Sequence, residues 1–196
     1  MTTDNPEQQN SFLNTKRLEM PHRPVGTRIK DFEPVEEILT ETELVEQARR
    51  CMNCGTPFCH GYGCPLANEI PDINRLVTEQ RWTEAAKILL STNNFPEFTG
   101  RICPALCEAS CVLDINDEAV SVRAVELAVI EKAFSLGIME DTGPSEHGGR
   151  KVAVIGSGPA GLTVADQLNK AGIQVTVFEK DDEPGGLLFY GIPDFK

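Results

Sequence analysis

The stretch Cys51-Met-Asn-Cys54-Gly-Thr-Pro-Phe-Cys59-His-Gly-Tyr-Gly-Cys64-Pro65 gathers four of the chain's seven cysteines within fourteen residues. The other three, Cys103, Cys107 and Cys111, form a second tight group, with Pro104 directly after the first of them. Iron–sulfur clusters take thiolates at such short spacings, and a Cys-Pro step closing the run is a recurring feature of cluster loops. The proline fixes φ and removes a donor, which stiffens the turn where the chain leaves the metal. Cys51-x2-Cys54 is also a zinc-knuckle spacing, for which His60 would be the candidate fourth ligand. A four-cysteine zinc site would leave three of the seven thiolates over. Clusters are therefore expected, with His60 read as a loop residue.

Composition narrows the setting. The 196 residues are 40% hydrophobic and 24% charged, an ordinary globular balance for one domain or two small ones. A net charge of -12 argues against nucleic acid and anionic membrane as partners, since both reward basic patches. No run of eighteen apolar residues occurs, so no membrane span is expected. The first ten residues have neither a basic region nor an apolar core and are not read as a secretory signal. A cytoplasmic, reducing setting follows as the expectation, and structural disulfides are rare there. An odd cysteine count also leaves one thiol over in any complete pairing.

Residues 1–40 are polar and carry prolines at 6, 21, 24 and 34, which reads as an extended surface arm with Arg17, Arg23, Arg28 and Lys30 as solvated charges. Thr40-Glu-Thr-Glu43 has the capping-box pattern, and Leu44, Val45 and Ala48 predict a helix running up to Cys51. Pro71-Asp72 opens a short helix through Ile73, Leu76 and Val77. Another spans Trp82 to Leu90, with Trp82 expected in the core rather than stacked on a ligand. Cysteines four apart at 103, 107 and 111 would share one side of a helical turn, able to aim all three at one place. Val122, Val125, Val129, Ala133 and Leu136 then recur at helical spacing up to a stop at Gly137. Residues 41–137 therefore read as an all-helical domain, and 138–149 as a linker rich in glycine and polar residues.

After the linker the pattern changes. Lys151–Ile155 is a short apolar strand, Gly156-Ser157-Gly158-Pro159-Ala160-Gly161 a glycine turn, residues 162–171 a helix, and Gln174–Phe178 a second strand closed by Glu179. A lone G-x-G-x-x-G is weak evidence. Here it lies between a strand and a helix, and an acid follows about twenty residues on, as dinucleotide binding requires. Gly156 makes the turn, Gly158 lets the backbone approach a pyrophosphate, and Gly161 lets helix and strand pack closely. The helix N-terminus would face the phosphates, and Glu179 the ribose hydroxyls.

Two resemblances extend this reading. Glu179-Lys180-Asp-Asp-Glu-Pro-Gly185-Gly186-Leu187 resembles the Glu-Lys…Gly-Gly segment of flavoproteins with two dinucleotide domains, whose first fingerprint holds the adenosine half of FAD. The whole chain, arm included, is similar to the small subunits of bacterial NADPH-dependent glutamate synthases, a module shared with the N-terminal part of dihydropyrimidine dehydrogenase. The similarity rests on Cys-x2-Cys-x4-Cys-x4-Cys-Pro, on Phe95-Pro-Glu-Phe-Thr-Gly-Arg101-Ile-Cys-Pro and on the flavin turn. It implies two [4Fe–4S] clusters, one held by Cys51, Cys54, Cys59 and Cys111. The other would be held by Cys64, Cys103, Cys107 and a non-cysteine ligand matching Glu126. Seven thiolates are one short of eight, which agrees.

The fold class so implied is an all-α iron–sulfur domain followed by the first βαβ of an α/β Rossmann-type FAD-binding domain (150–196). The implied function is electron transfer from NADPH through FAD and the clusters to a glutamate synthase large subunit. The NADPH site would lie outside this chain, which ends short of a complete flavin domain and is expected to be an inactive fragment by itself. No general acid or nucleophile is required in it. The alternatives are the same module serving dihydropyrimidine reduction or NADPH:ferredoxin transfer, or a metal-stabilised docking module without a redox role.

Overall fold

The computed structural model describes residues 11–139 and 148–196; most of the expected linker, 140–147, and the start of the arm, 1–10, lie outside the described residues. The chain divides into two compact units, Met1–Ile138 and Met139–Lys196. The first is helical. After the short α1 (Ser11–Asn14) and α2 (Val25–Arg28) it contains α3 (Glu41–Arg49), α4 (Ile70–Thr78), α5 (Trp82–Thr92), α6 (Pro96–Ile102), α7 (Leu106–Ala109) and α8 (Val122–Ser135). A π-turn at Cys59–Gly63 and a 3-10 turn at Val112–Ile115 fall between them.

The capping box at the head of α3 is complete. The Thr40 hydroxyl accepts from the Glu43 amide, and the Glu43 carboxylate accepts from the Thr40 amide at 2.8 Å. The centre of the unit is α8, which packs against α3, α4, α5, α6 and α7. Nine of its fourteen residues are buried, so it has no polar stripe, and its single buried acid is Glu126. It ends as a Schellman motif: Gly137 adopts φ +66°, its amide donates to Phe134 O, and that of Ile138 donates to Ala133 O. Leu136, expected on the buried face, is 54% exposed because the helix has already turned into this cap. Trp82 is buried in the core, as its pattern predicts, with the Lys132 ammonium 5.8 Å from the ring centre.

The arm is pinned rather than laid loosely on the surface. Gln47 and Arg50, both fully buried, receive it: Gln47 binds Lys16 O and the Leu18 amide, and Arg50 donates to Thr15 O, Ala119 O and Glu118 O. Arg17, expected as a solvated charge, instead donates to Glu108 at 2.6 Å and to Ala119 O. Arg23 grips Asp31 through both terminal nitrogens. Backbone carbonyls left unpaired by short segments attract guanidinium forks, and a polar sequence hides such ties.

The second unit holds β1 (Lys151–Ile155), α9 (Pro159–Lys170), β2 (Gln174–Phe178) and the single turn α10 (Leu187–Tyr190). The strands run parallel in register from Lys151 opposite Gln174 to Ile155 opposite Phe178, with α9 as the crossover.

Candidate metal centre and dinucleotide turn

All seven cysteines are free thiols. Cys51, Cys54, Cys59 and Cys111 line one cavity whose apolar wall is Ile70, Val120 and Val122. Each is delivered differently: Cys51 just past α3, Cys54 after a left-handed Asn53, Cys59 at the head of the π-turn, Cys111 capping the 3-10 turn. Cys107, on α7, is buried, and the charges acting on it are those of Glu126, Glu108, Cys64 and Cys103. The cavity thus draws on both cysteine runs.

The second run does not form one helical face. Cys103 ends α6 in extended conformation, Ala105 takes a left-handed φ of +54°, and only Cys107 lies within α7. The expectation that all three cysteines aim at one place is corrected: Pro104 and Ala105 break the helix, and Cys111 lines the cavity with Cys51, Cys54 and Cys59. Among the described residues, three of the four non-glycine positive-φ positions, Asn53, Ala67 and Ala105, lie in these loops. Such strain collects where a site dictates the backbone. The π-turn approaches α7 closely: a methyl on Gly63 would lie 2.7 Å from Cys107 Cα.

Burial shapes the electrostatics. It pushes the Cys51 thiol up to about 12 and that of Cys59 to about 11, opposed by the amides of Asn53 and His60. It also raises the Cys107 thiol, and the nearby carboxylates add to this. A bound metal group would favour the thiolate form of such buried sulfurs. Glu126, buried on α8, is raised to about 7 mainly by burial, opposed by the hydrogen bond from Asn68 Nδ2 at 2.9 Å. The donor set of soft thiols on an apolar wall fits an iron–sulfur cluster. His60, in the π-turn, donates through Nδ1 to Asn68 O at 3.0 Å. Among the described residues, no three His, Cys, Asp or Glu converge as a site for a single ion.

In the second unit Gly156 turns with φ +95°, Gly158 caps α9, and Pro159 and Ala160 form its first turn. Gly161 is where α9 meets the turn, and a Cβ there would lie 2.1 Å from Gly156 O. Ser157 is buried beneath the turn. Glu179 is already engaged by protein groups: Oε2 accepts from the Ser157 amide at 2.7 Å and hydroxyl at 2.6 Å, and Oε1 from the amides of Lys180 and Asp181. These donors, the Ser157 hydroxyl first, hold its carboxyl down at about 2. Gly186 caps α10 beside Gly158, Leu187 begins that turn and is exposed, and Lys180 Nζ pairs with Asp181.

The profile of the family described as dihydropyrimidine dehydrogenase domain II, 4Fe-4S cluster, matches residues 28–138, more than half of the chain. The chain belongs to this family. The match to dihydropyrimidine dehydrogenase domain II encloses all seven cysteines and Glu126. A second profile, for an NAD(P)-binding Rossmann-like domain, matches residues 154–191, from the end of β1 through α10. The chain is also 52% identical, over 94% of its length, to the glutamate synthase [NADPH] small chain of Mycobacterium tuberculosis, and covers 38% of that protein. With the Bacillus subtilis glutamate synthase [NADPH] small chain the identity is 50%, covering 94% of this chain and 39% of that one. With the glutamate synthase [NADH] of Schizosaccharomyces pombe it is 50%, over 94% of this chain and 9% of that protein. The chain therefore spans under two fifths of the length of these curated relatives.

Sequence reasoning singled out the cysteines, Glu126 and the glycine turn as candidates. It missed Asn68, which donates to Glu126, since an asparagine in a loop carries no pattern of its own. The remaining sign was position: Asn68 follows Cys64 by four residues.

Proposed function

We propose that this chain is the iron–sulfur and flavin-entry part of a glutamate synthase-type small subunit. Cys51, Cys54, Cys59 and Cys111 would hold one [4Fe–4S] cluster, and Cys64, Cys103, Cys107 and Glu126 a second. The Gly156–Gly161 turn, with Glu179, Lys180, Gly186 and Leu187, would hold the adenosine half of FAD. When bound, these groups supply one- and two-electron chemistry that links NADPH, held outside this chain, to a large subunit forming glutamate from glutamine and 2-oxoglutarate. The chain's own residues would bind and space the groups, keep water from the sulfurs through Ile70, Val120 and Val122, and set local charge.

The observation that supports this reading is that Cys111, from the second run, lines the same cavity as Cys51, Cys54 and Cys59 from the first. Seven thiols and one buried carboxyl supply two sets of four. The relatives named glutamate synthase support the wider role, and the family's dihydropyrimidine dehydrogenase description supports a second reading, the same module feeding electrons to pyrimidine reduction. The experiment is iron, sulfide and zinc analysis of anaerobically purified intact protein, with EPR before and after dithionite. About eight irons and eight sulfides per chain are expected. About four would remove one set, and zinc without sulfide would overturn the redox reading. Activity with glutamine and 2-oxoglutarate, against activity with a pyrimidine, separates the two readings.

A further inference from the structure

Glu126 lies on α8 among apolar neighbours, and a buried carboxylate needs a donor. The donor is Asn68 Nδ2, at 2.9 Å from Oε1. Asn68 is only 2% exposed and is held at three points. The Thr92 hydroxyl donates to its Oδ1 at 2.7 Å, from the end of α5. His60 Nδ1 and the Ile70 amide both donate to its backbone oxygen, at 3.0 and 2.7 Å.

The Thr92 contact has a direction that matters. An asparagine amide has a donor end and an acceptor end that differ little in shape. The Glu126 carboxylate offers only acceptors, so the NH2 end faces it, and the Thr92 hydroxyl, which can donate or accept, donates to the Oδ1 left on the other side.

We infer that Asn68, supported by Thr92, is a positioning residue that holds Glu126 through Oε1 and so fixes the carboxylate that the second cluster would meet. The inference rests on the reading of Glu126 as a cluster ligand given above. An N–H bonded to one oxygen of a ligating carboxylate draws charge from the other, which favours the reduced, more negative state of the metal group. His60 extends the arrangement, because it follows Cys59 directly in the chain. The π-turn bearing Cys59 and the helix bearing Glu126 are thereby tied to one residue, the first through its backbone oxygen and the second through its side chain.

The test is a redox titration of the intact protein followed cluster by cluster by EPR, in Asn68→Ala, Thr92→Val, Thr92→Ser and Glu126→Ala. Asn68→Ala and Thr92→Val are expected to move one of the two midpoint potentials to a more negative value and leave the other in place. Thr92→Ser, which keeps the hydroxyl, is expected to restore the parent value. Unmoved potentials in Asn68→Ala and Thr92→Val would overturn the inference, as would equal movement of both clusters or failure of Thr92→Ser to restore the parent. If Asn68→Ala does not fold, the Thr92 pair decides alone. Glu126→Ala separates the two ideas. Parent iron content and parent signals in that variant would remove the ligand reading itself. A change in one cluster there, with none in the Thr92 and Asn68 variants, would remove only the positioning role.

Discussion

A methyl group at Gly161 would meet the carbonyl oxygen of Gly156 at 2.1 Å, far inside van der Waals contact. The colliding atom is backbone, so the helix must move away from the strand. Gly161→Ala is expected to cost the second unit roughly 1–3 kcal/mol, the range for overpacking a close contact. FAD retained per chain by the intact protein, read from visible absorbance after gel filtration, is expected to fall; full retention would remove the flavin reading of the turn. Glu179 gives a prediction in pH. Its carboxyl sits at about 2 in the fold against an ordinary 4.5, so on acidification the unfolded chain takes up the proton first. Its contribution to stability is complete above about pH 4.5 and is lost as pH falls toward 2. NMR titration of the Glu179 carboxyl carbon should show the low midpoint. Glu179→Gln should flatten the acid limb of the second unit's stability in that window. An ordinary midpoint would mean that the Ser157 contacts are not formed in solution.

Among the elements, the arm and α3 depend on Arg50, whose guanidinium is wholly buried on three backbone carbonyls. Arg50→Met would keep much of the volume and leave those acceptors unpaired, at a cost of about 3 kcal/mol. The expected outcome is a lower urea midpoint for the first unit and early proteolysis within residues 15–20. Arg50→Lys should not restore either, because one ammonium cannot reproduce the fork. This tie also marks where the sequence is hard to read. Helix periodicity exposed α4, α5 and α8, because burial of aliphatic faces repeats along the chain. Arg50, Gln47 and Arg17 look like surface residues in any pattern, since their burial is decided by carbonyls thirty to a hundred residues away. The break at Pro104–Ala105 was half legible: the proline was visible, but the left-handed alanine that turns Cys107 from Cys111 has no signature. The strands around the glycine turn were legible to the residue because turn chemistry and strand composition agree there.

At the scale of the whole molecule, the apolar cluster around Ile70, Leu113, Val120 and Val122 includes Cys107 and packs against Cys51, Cys59, Cys64 and Cys111, so metal and core are one structure in the first unit. Removing iron with a chelator under reducing conditions is expected to destabilise that unit and leave the second unaffected. Hydrogen exchange read by mass spectrometry should show protection lost across α3, α4 and α7 and retained in β1 and β2. Uniform loss would contradict the division into two units. The crossing of the two cysteine runs has a further consequence, in the order of synthesis. A chain emerging from the ribosome presents Cys51, Cys54, Cys59 and Cys64 early. On the proposed assignment the first set would be completed only by Cys111 and the second only by Glu126, so a nascent chain of 100 residues would carry two partial sets. Metal loading would then be deferred until nearly the entire helical unit had been made, and the two proposed centres would become fillable within fifteen residues of each other.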